Sequence, residues 1–199
     1  MKKLVVGITG GIGSGKSVVA RIMSTLGYPV YNADDEAGNI LEKDQKVIDA
    51  VKKLIGEKAY SDTGKPDRVF ISSVVFNDRD KLESLNTIIH PAVQTHFMNW
   101  VEKNTSSCLV FKEAAIMFES GSYKAMNRVI AVTAPQQLKI SRVMERDGKT
   151  EAQVKKIIDK QLPQDELEAK SDFVIVNDEN QLLIPQVIAV LDKLKTELQ

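Results

Sequence analysis

The stretch from Gly10 to Ser17, with the sequence GGIGSGKS, most constrains what this chain can fold into. It matches the phosphate-binding pattern G-x-x-x-x-G-K-[ST] at every required position. The apolar, β-branched run 4–8 before it predicts a buried strand, and apolar residues at helical spacing follow it as far as Gly27. A strand, a glycine-rich turn and a helix together aim backbone N–H groups at a polyphosphate. The alternative interpretation is a glycine-rich turn followed by a chance lysine.

The loop residues are expected to share the work of holding a nucleotide. Lys16 is expected to reach the terminal phosphates, and the Ser17 hydroxyl is expected to ligate Mg²⁺. The predicted nucleotide-binding residues of the loop are Gly11, Ile12, Gly13, Ser14, Gly15, Lys16 and Ser17.

The charge balance of the chain excludes a global electrostatic field as the source of ligand binding. The 199 residues include 27 Lys and Arg and 27 Asp and Glu, so neither nucleic acid nor an anionic membrane is favoured as a partner. Any anionic ligand must therefore be held by a local site. The single cysteine, Cys108, excludes an intrachain disulfide, and no apolar run is long enough to span a membrane. We expect a cytoplasmic protein.

Short apolar runs separated by helical patterns predict an α/β fold, a five-stranded parallel sheet flanked by helices in the manner of P-loop NTPases. The predicted strands are residues 4–8, 28–31, 108–111, 128–133 and 173–176, the last of them as a buried strand. The predicted organisation is a nucleotide-binding core of residues 1–36, 106–140 and 166–199, a helical insertion of residues 37–105 and a short lid of residues 141–165.

The helical insertion predicts room for a second substrate beside the nucleotide. Its apolar spacing predicts helices over residues 47–55, 69–76, 81–89 and 92–101. His90 precedes Pro91, which biases the His90 backbone away from the helix, so we predict a turn there.

Arg142 and Arg146 lie four residues apart on a predicted helix and therefore share a face. Two guanidinium groups on a mobile helical hairpin could neutralise charge on a transferring phosphoryl group. A solvated basic face is the alternative.

Two carboxylates are candidates for the chemistry. Asp34 follows the second predicted strand and could accept the proton of an attacking hydroxyl, although a helix N-cap is an alternative role for which Asp35 is the better candidate. Glu113 follows an apolar strand and could hold the Mg²⁺ shell through water. The alternative for Glu113 is an edge carboxylate without a role.

The phosphate loop alone leaves the reaction open, because switches, motor ATPases and kinases share it. The chain has no Asn-Lys-x-Asp string for guanine recognition, which weakens a GTPase interpretation. The insertion favours a kinase with a second substrate. Another small-molecule kinase and a nucleotide-dependent switch that binds a partner remain as alternatives.

Over nearly its whole length, the chain resembles the dephospho-coenzyme A kinase family. The ordered set of matching positions is more specific than the phosphate loop by itself. The matching positions are residues 6–17, Ala33-Asp34, Asp67-Arg68, Val75-Phe76, Leu85-Asn86, Ile89-His90-Pro91, Phe118-Glu119, Arg142, Arg146-Asp147, Thr150, Gln161, and Asp172 to Asn177.

This resemblance implies ATP-dependent phosphorylation of the ribose 3′-hydroxyl of dephospho-coenzyme A, giving coenzyme A and ADP, with ATP and Mg²⁺ as cofactors. It implies that Asp34 is the catalytic base, that Arg142 is an arginine of the lid, and that Arg146 helps there or near the adenine. It implies that Lys16 and Arg142 act in catalysis with Asp34. The implied acceptor-binding residues are Thr9, Asp34, Arg68 and His90.

The chain departs from the family pattern at three places. Asn32 stands where the family usually has the first Asp of Asp-Ala-Asp, so a carboxylate at this position cannot be essential here. Residues 115–117 are Ala-Ile-Met in place of the usual Pro-Leu-Leu, and Leu167 stands where a lysine is often found. These departures affect the expected acceptor pocket and leave the phosphate site intact.

Overall fold

The computed structural model describes residues 3–75, 78–104 and 106–198. Within these ranges the chain forms a five-stranded parallel sheet flanked by helices, which confirms the predicted fold class. Phe76, the last residue of one predicted helix, lies outside the described residues. The strands are β1 (Leu4–Thr9), β2 (Val30–Asn32), β3 (Leu109–Glu113), β4 (Arg128–Thr133) and β5 (Phe173–Val176).

The strand order β2-β3-β1-β4-β5 places β1 at the centre of the sheet. Leu4 pairs with Leu109 of β3, and Val6 pairs with Arg128 of β4. Since all pairs are parallel, the carboxyl ends of the strands meet at one edge, where open α/β sheets bind their ligands. The loop that follows β1 is therefore at the ligand-binding edge.

The last strand differs from its prediction as a buried strand. Val174 in the middle of β5 is 40% exposed, while Ile175 beside it is fully buried. In the described residues β5 pairs with β4 alone, so it is an edge strand with one face turned to solvent. Four consecutive apolar residues give no sign of which face is covered, so the run alone could not reveal this.

The core of the sheet lies against two helices. Alternate residues of β1 (Leu4, Val6 and Ile8) are buried in one cluster with residues of the first and last helices. The helices packed on this side are α1 (Lys16–Thr25) and α9 (Leu183–Thr196). Their buried positions recur at three- and four-residue spacing, as in Val187, Val190, Leu191 and Leu194 of α9.

The chain divides into two compact units. One unit comprises Met1–Asn32 and Asn104–Gln199, and the other comprises Ala33–Lys103. The second unit is helical and contains α2 (Ala33–Lys43), α3 (Gln45–Ile55), α4 (Arg68–Val75) and α5 (Arg79–Lys103). The finer division into core, insertion and lid stays a prediction.

Local capping fixes the start of α3. The Asp44 carboxylate accepts hydrogen bonds from the backbone N–H groups of Lys46 and Val47, at 2.9 and 3.3 Å, and satisfies two of the donors that a helix start leaves unpaired. Further along this unit, Tyr60 donates its hydroxyl to the carbonyl of Leu41 at 2.9 Å, and burial raises the pKa of Tyr60 to about 12.

The predicted turn at His90 is wrong, because α5 runs unbroken through His90 and Pro91. A proline inside a helix removes one hydrogen bond and crowds the carbonyl four residues earlier, at a cost of about 3 kcal/mol. Leu85, Val93 and Phe97 form a buried stripe along the helix. Burying each such side chain contributes about 1.5–3 kcal/mol, so packing outweighs the local preference for a turn.

The remaining helices belong to the sheet unit. They are α6 (Gln136–Asp147), α7 (Glu151–Ile158) and α8 (Gln164–Ala169), of which α8 was not predicted. Thr150 and Gln153 form the capping box at the start of α7 that their spacing indicates. Within the described residues, no helix is both long enough and apolar enough to cross a membrane.

Candidate active site

The glycine-rich loop leads directly from β1 into α1. Thr9 is the last residue of β1, and Gly15, with φ 90°, is the N-cap residue of α1. No side chain in the described residues caps this helix start, and its first turn holds no acidic residue. The first N–H groups of α1 are therefore left for an external acceptor, which gives an anion-binding site.

Gly13 and Gly15 are required by close packing as well as by their positive φ angles of 78° and 90°. A Cβ atom at Gly13 would collide with the backbone oxygen of Lys139 in α6, and one at Gly15 would collide with the amide of Asn177. The loop thus lies in contact with α6 on one side and with the segment after β5 on another.

Two side chains from distant parts of the chain hold the loop in shape. Gln161 accepts a hydrogen bond from the Ile12 N–H at 2.8 Å, and Asn177 donates its side-chain amide to the Ser14 carbonyl at 2.9 Å. Both residues lie in the motifs that carry the family resemblance, yet the sequence assigned them no role. Their contacts span 149 and 163 residues, a separation that local patterns cannot reveal.

Ser17 and Glu113 form the closest side-chain pair at the loop. The Ser17 hydroxyl donates to Glu113 Oε1 at 2.6 Å, and Glu113, at the carboxyl end of β3, is 5% exposed. In register, Glu113 lies beside Ile8 of the central strand and Asn32 of β2. A buried carboxylate therefore faces the first turn of α1. Lys16, the residue before Ser17, is half-buried. It forms no ion pair with a carboxylate in the described part of the chain.

The donor set at Ser17 and Glu113 fits a Mg²⁺ ion. Both side chains offer hard oxygen ligands, and the hydroxyl that donates to Glu113 retains its lone pairs for a cation. No cluster of three or more His, Cys, Asp or Glu side chains that could hold a metal occurs in residues 3–75, 78–104 and 106–198. Mg²⁺ binds through one or two protein groups together with substrate phosphates, and Ser17 and Glu113 would supply such groups.

Arg142 of α6 lies against the loop. Its Nη1 donates to the Gly13 carbonyl at 3.4 Å and to the Asn177 carbonyl at 3.2 Å. Its Nη2 donates to Asn177 Oδ1 at 3.4 Å and to Glu179 Oε1 at 3.1 Å. The side chain is 24% exposed, so this arginine is part of the loop's surroundings.

Arg146, one turn further along α6, has a different environment. It is 64% exposed and pairs with the neighbouring Asp147 through two hydrogen bonds of 2.7 and 3.1 Å. These bonds lower the pKa of Asp147 to about 2 and raise the pKa of Arg146. The structure therefore brings Arg142 to the loop and leaves Arg146 in an exposed ion pair.

Lys139 is a residue of the site that the sequence did not suggest. It is 7% exposed and donates to Gln164 Oε1 at 2.9 Å. Burial lowers the pKa of Lys139, and the nearby charge of Glu168 acts in the opposite direction. Together with Gly11 and Gln161 it lines a cavity of about 50 Å³ at the loop. A lysine in an amphipathic helix is usually solvated, so no local signal marked it as buried.

Two hydroxyl groups at the loop are buried without a hydrogen-bond partner in the described part of the chain. Thr9 Oγ1 and Ser14 Oγ are buried and have no hydrogen-bond partner among the described residues. Buried polar atoms without partners are uncommon and point to a strained or ligand-dependent site.

Asp34 and Asp35 both lie inside the first turn of α2, which begins at Ala33. The alternative role of Asp34 or Asp35 as a helix N-cap is therefore excluded, because both lie inside a helix that begins before them. Both carboxylates are exposed, and both are stabilised at this end by the helix dipole.

The other acceptor-site candidates of the helical unit lie on two different helices. Arg68 is exposed at the start of α4, and its guanidinium packs over Gly38 of α2, where a Cβ atom would be 2.6 Å from Nη2. Gly38 thus leaves space for Arg68. His90 is half-buried in α5.

Comparison with known proteins identifies the family. The family model for dephospho-CoA kinase matches residues 4–182. The dephospho-CoA kinase of Porphyromonas gingivalis is 37% identical over 195 residues, which cover 98% of this chain and 96% of the relative.

Solved structures share the fold. Dephospho-CoA kinase from Campylobacter jejuni matches with a TM-score of 0.72 and 24% identity over 98% of each chain. Shikimate kinase from Acinetobacter baumannii matches with a TM-score of 0.54 and 14% identity, over 98% of this chain and 94% of that one. The family match and the identity to the Porphyromonas relative confirm the interpretation of the sequence motifs: this chain belongs to the dephospho-CoA kinase family.

Proposed function

We propose that this chain transfers the γ-phosphoryl group of ATP to the ribose 3′-hydroxyl of dephospho-coenzyme A, with Lys16, Arg142 and Asp34 as its catalytic residues. The overall reaction, ATP-dependent phosphorylation of dephospho-CoA in the synthesis of coenzyme A, is that of the family. The observation that carries the assignment of the site is the 2.6 Å contact between Ser17 and the buried Glu113 at the phosphate loop.

The nucleotide end of the reaction rests on the loop. Backbone N–H groups at the start of α1 hold the polyphosphate, and the half-buried Lys16 follows the charge of the moving phosphoryl group. Its ammonium group supplies a positive charge at the terminal phosphates. In a site that excludes water, such a fixed charge stabilises the transition state more than it would in solution.

Ser17 and Glu113 are the residues that would hold Mg²⁺, Ser17 directly and Glu113 through water. When bound, the ion would supply positive charge that offsets the negative charge of the nucleotide phosphates. Glu113 accepts a hydrogen bond from the Ser17 hydroxyl and so keeps that oxygen oriented.

Arg142 supplies the second positive charge. Its guanidinium already lies at the Gly13 carbonyl, so a change of side-chain torsion is enough to redirect it toward phosphates held by the loop. Arg146 would act at the same nucleotide or near its adenine. It would first exchange its pairing with Asp147 for a ligand contact.

The acceptor end rests on Asp34, with Thr9, Arg68 and His90 as further binding residues. Asp34 follows Asn32, the last residue of β2, by two positions in the chain. Its carboxylate accepts the proton of the 3′-hydroxyl as the ribose oxygen bonds to phosphorus and the bond to the β-phosphate oxygen of ADP breaks. Because the transition state is largely dissociative, positioning of the hydroxyl comes first and proton acceptance second.

An acceptor screen tests the reaction. ADP release is followed with ATP, Mg²⁺ and one acceptor at a time: dephospho-CoA, shikimate, gluconate, a nucleoside and no acceptor. We expect turnover with dephospho-CoA alone. Turnover with another acceptor would indicate a different small-molecule kinase, and slow acceptor-independent turnover with tightly held nucleotide would indicate a switch.

Asp34→Asn tests the mechanism. This substitution keeps the size of the side chain and removes its charge and basicity, so turnover should fall about a hundredfold or more, with little change in acceptor affinity. Steady-state kinetics with varied dephospho-CoA gives both quantities.

Asp35→Asn is the matched control, because it removes one charge from the same helical turn. It should cost only the interaction of an exposed carboxylate with the helix dipole, about 0.3–1 kcal/mol of stability. Loss of activity in Asp35→Asn with activity retained in Asp34→Asn would show that the base is the other carboxylate.

A further inference from the structure

Glu179 combines two unusual features in the segment that follows β5. Among the described residues it is the only non-glycine residue with a positive φ angle, at 68°. Its carboxylate also forms an ion pair with Arg142, with 3.1 Å between Oε1 and Nη2. Left-handed backbone is unfavourable for a residue with a Cβ atom, so the surrounding structure must hold it there.

The turn around Glu179 is held from both sides. Before it, Asn177 donates its N–H to the Thr133 carbonyl of β4 at 2.8 Å. Within it, Asp178 Oδ1 accepts from the N–H groups of Asn180 and Gln181, at 3.0 and 2.9 Å. These bonds fix the backbone, and the fixed backbone presents the Glu179 carboxylate to Arg142.

The contacts of Arg142 leave its guanidinium turned toward protein acceptors. It has five N–H donors, and Nη1 and Nη2 are directed at three oxygens of Gly13 and Asn177 and at the Glu179 carboxylate. A phosphate is bound most strongly by two parallel N–H groups of the fork. In this arrangement Nη2 reaches an anion already, and that anion belongs to the protein.

We propose that Glu179 is a positioning residue that holds Arg142 against the phosphate loop until a nucleotide phosphate replaces its carboxylate. The inference rests on the proposed role of Arg142 in binding phosphates. Glu179 is 64% exposed, and exposed ion pairs contribute little net stability, so the pair exchanges readily. A triphosphate carries more charge than one carboxylate and displaces it. The ion pair thus keeps Arg142 close to the phosphate loop and leaves it able to bind a phosphate.

The test is the affinity of the full-length protein for a non-hydrolysable ATP analogue with Mg²⁺, measured by equilibrium titration without acceptor. Glu179→Gln keeps the length of the side chain and removes the competing charge. We expect binding to tighten about twofold to fivefold at low ionic strength, the range that an exposed pair supports, and the gain to shrink at high salt. Glu166→Gln is the control: it removes an exposed carboxylate of α8 that pairs with Lys170, and it should leave the affinity unchanged.

The same substitution in an Arg142→Ala background separates this role from a general effect of negative charge. If Glu179 acts through Arg142, the gain disappears when the arginine is absent. If the carboxylate only repels the nucleotide, the gain persists, and the proposal is overturned.

Glu179→Gly is the second variant, since glycine takes the left-handed conformation without a Cβ atom and also removes the carboxylate. It should show the same tighter binding. Unchanged or weaker binding in both variants would overturn the proposal. Because these titrations need no acceptor, their outcome is independent of whether dephospho-CoA is the substrate, which the acceptor screen decides.

Discussion

Two parts of α6 differ in their surroundings: one part faces the phosphate loop, and the other is an ordinary exposed surface. The loop-facing part, which we call the α6 flank, consists of Lys139 and Arg142, with Gly13 of the loop packed against it. The second part, which we call the α6 tip, consists of residues 146–149, that is, the last two residues of α6 and the two that follow it. Arg142 is 24% exposed and has four acceptors in the loop and in the segment after β5, whereas Arg146 is 64% exposed and pairs with its neighbour Asp147.

This difference shows that helical spacing alone does not define a charged site. Four residues apart, the two arginines share a face of α6, as their spacing predicted. Among the described residues, Arg142 reaches the loop and the segment after β5, whereas Arg146 pairs with its neighbour Asp147. An exposed pair such as Arg146 and Asp147 contributes little net stability, because solvent screens both charges. Three substitutions, each with a counterpart at the tip, would break or sharpen this contrast.

The largest effect is expected for Lys16→Ala in the loop. Removing a charge that follows the phosphoryl group should lower turnover about a thousandfold or more, with the fold intact. Lys149→Ala removes a lysine at the α6 tip, where its ammonium group lies 3.4 Å from Asp147, and should change turnover less than twofold. Circular dichroism checks the fold, and steady-state kinetics checks turnover. Near-normal turnover of a folded Lys16→Ala protein would contradict the assignment of the loop.

The next effect is expected for Arg142→Ala. The loss of its charge at the moving phosphoryl group should lower turnover about a hundredfold, with a smaller change in acceptor KM. Arg142→Lys should restore little, because an ammonium group cannot reproduce the planar fork. Arg146→Ala should cost only severalfold and should act mainly on the KM for ATP. If the wild-type protein and these three variants had equal kinetics, the α6 flank would be no more than a basic surface.

The smallest effect concerns two glycines with left-handed backbone, Gly13 at φ 78° and Gly148 at φ 64°. Alanine at Gly148 meets no atom within 4 Å, so it should lower the free energy of unfolding by about 1–2 kcal/mol, the cost of the backbone conformation alone. Alanine at Gly13 also meets the Lys139 carbonyl and a Val143 methyl group, which should add about 1–3 kcal/mol. Chemical denaturation measures both values. Equal losses would show that the α6 flank yields to the added methyl group.

Much of the fold could be predicted from the sequence because its signals are local. A strand, a phosphate loop and a helix in succession indicated the start of the α/β core, and Thr150 with Gln153 marked a helix start that the structure confirms. The prediction failed at His90 and Pro91 because Val93 and Phe97 keep that helix intact through burial. The alternative role of Asp34 or Asp35 as an N-cap was excluded because α2 begins at Ala33.

The sequence by itself determined the family and the phosphate loop, since these depend on short ordered motifs. Tertiary structure alone decided which side chains surround that loop. Gln161, Asn177 and Lys139 reach the loop from segments more than a hundred residues away. Arg142 and Arg146 share a helix face, and their hydrogen-bond partners are what distinguishes their environments. The physical reason is that burial, hydrogen-bond partners and backbone strain are properties of assembled segments, and no single segment carries them.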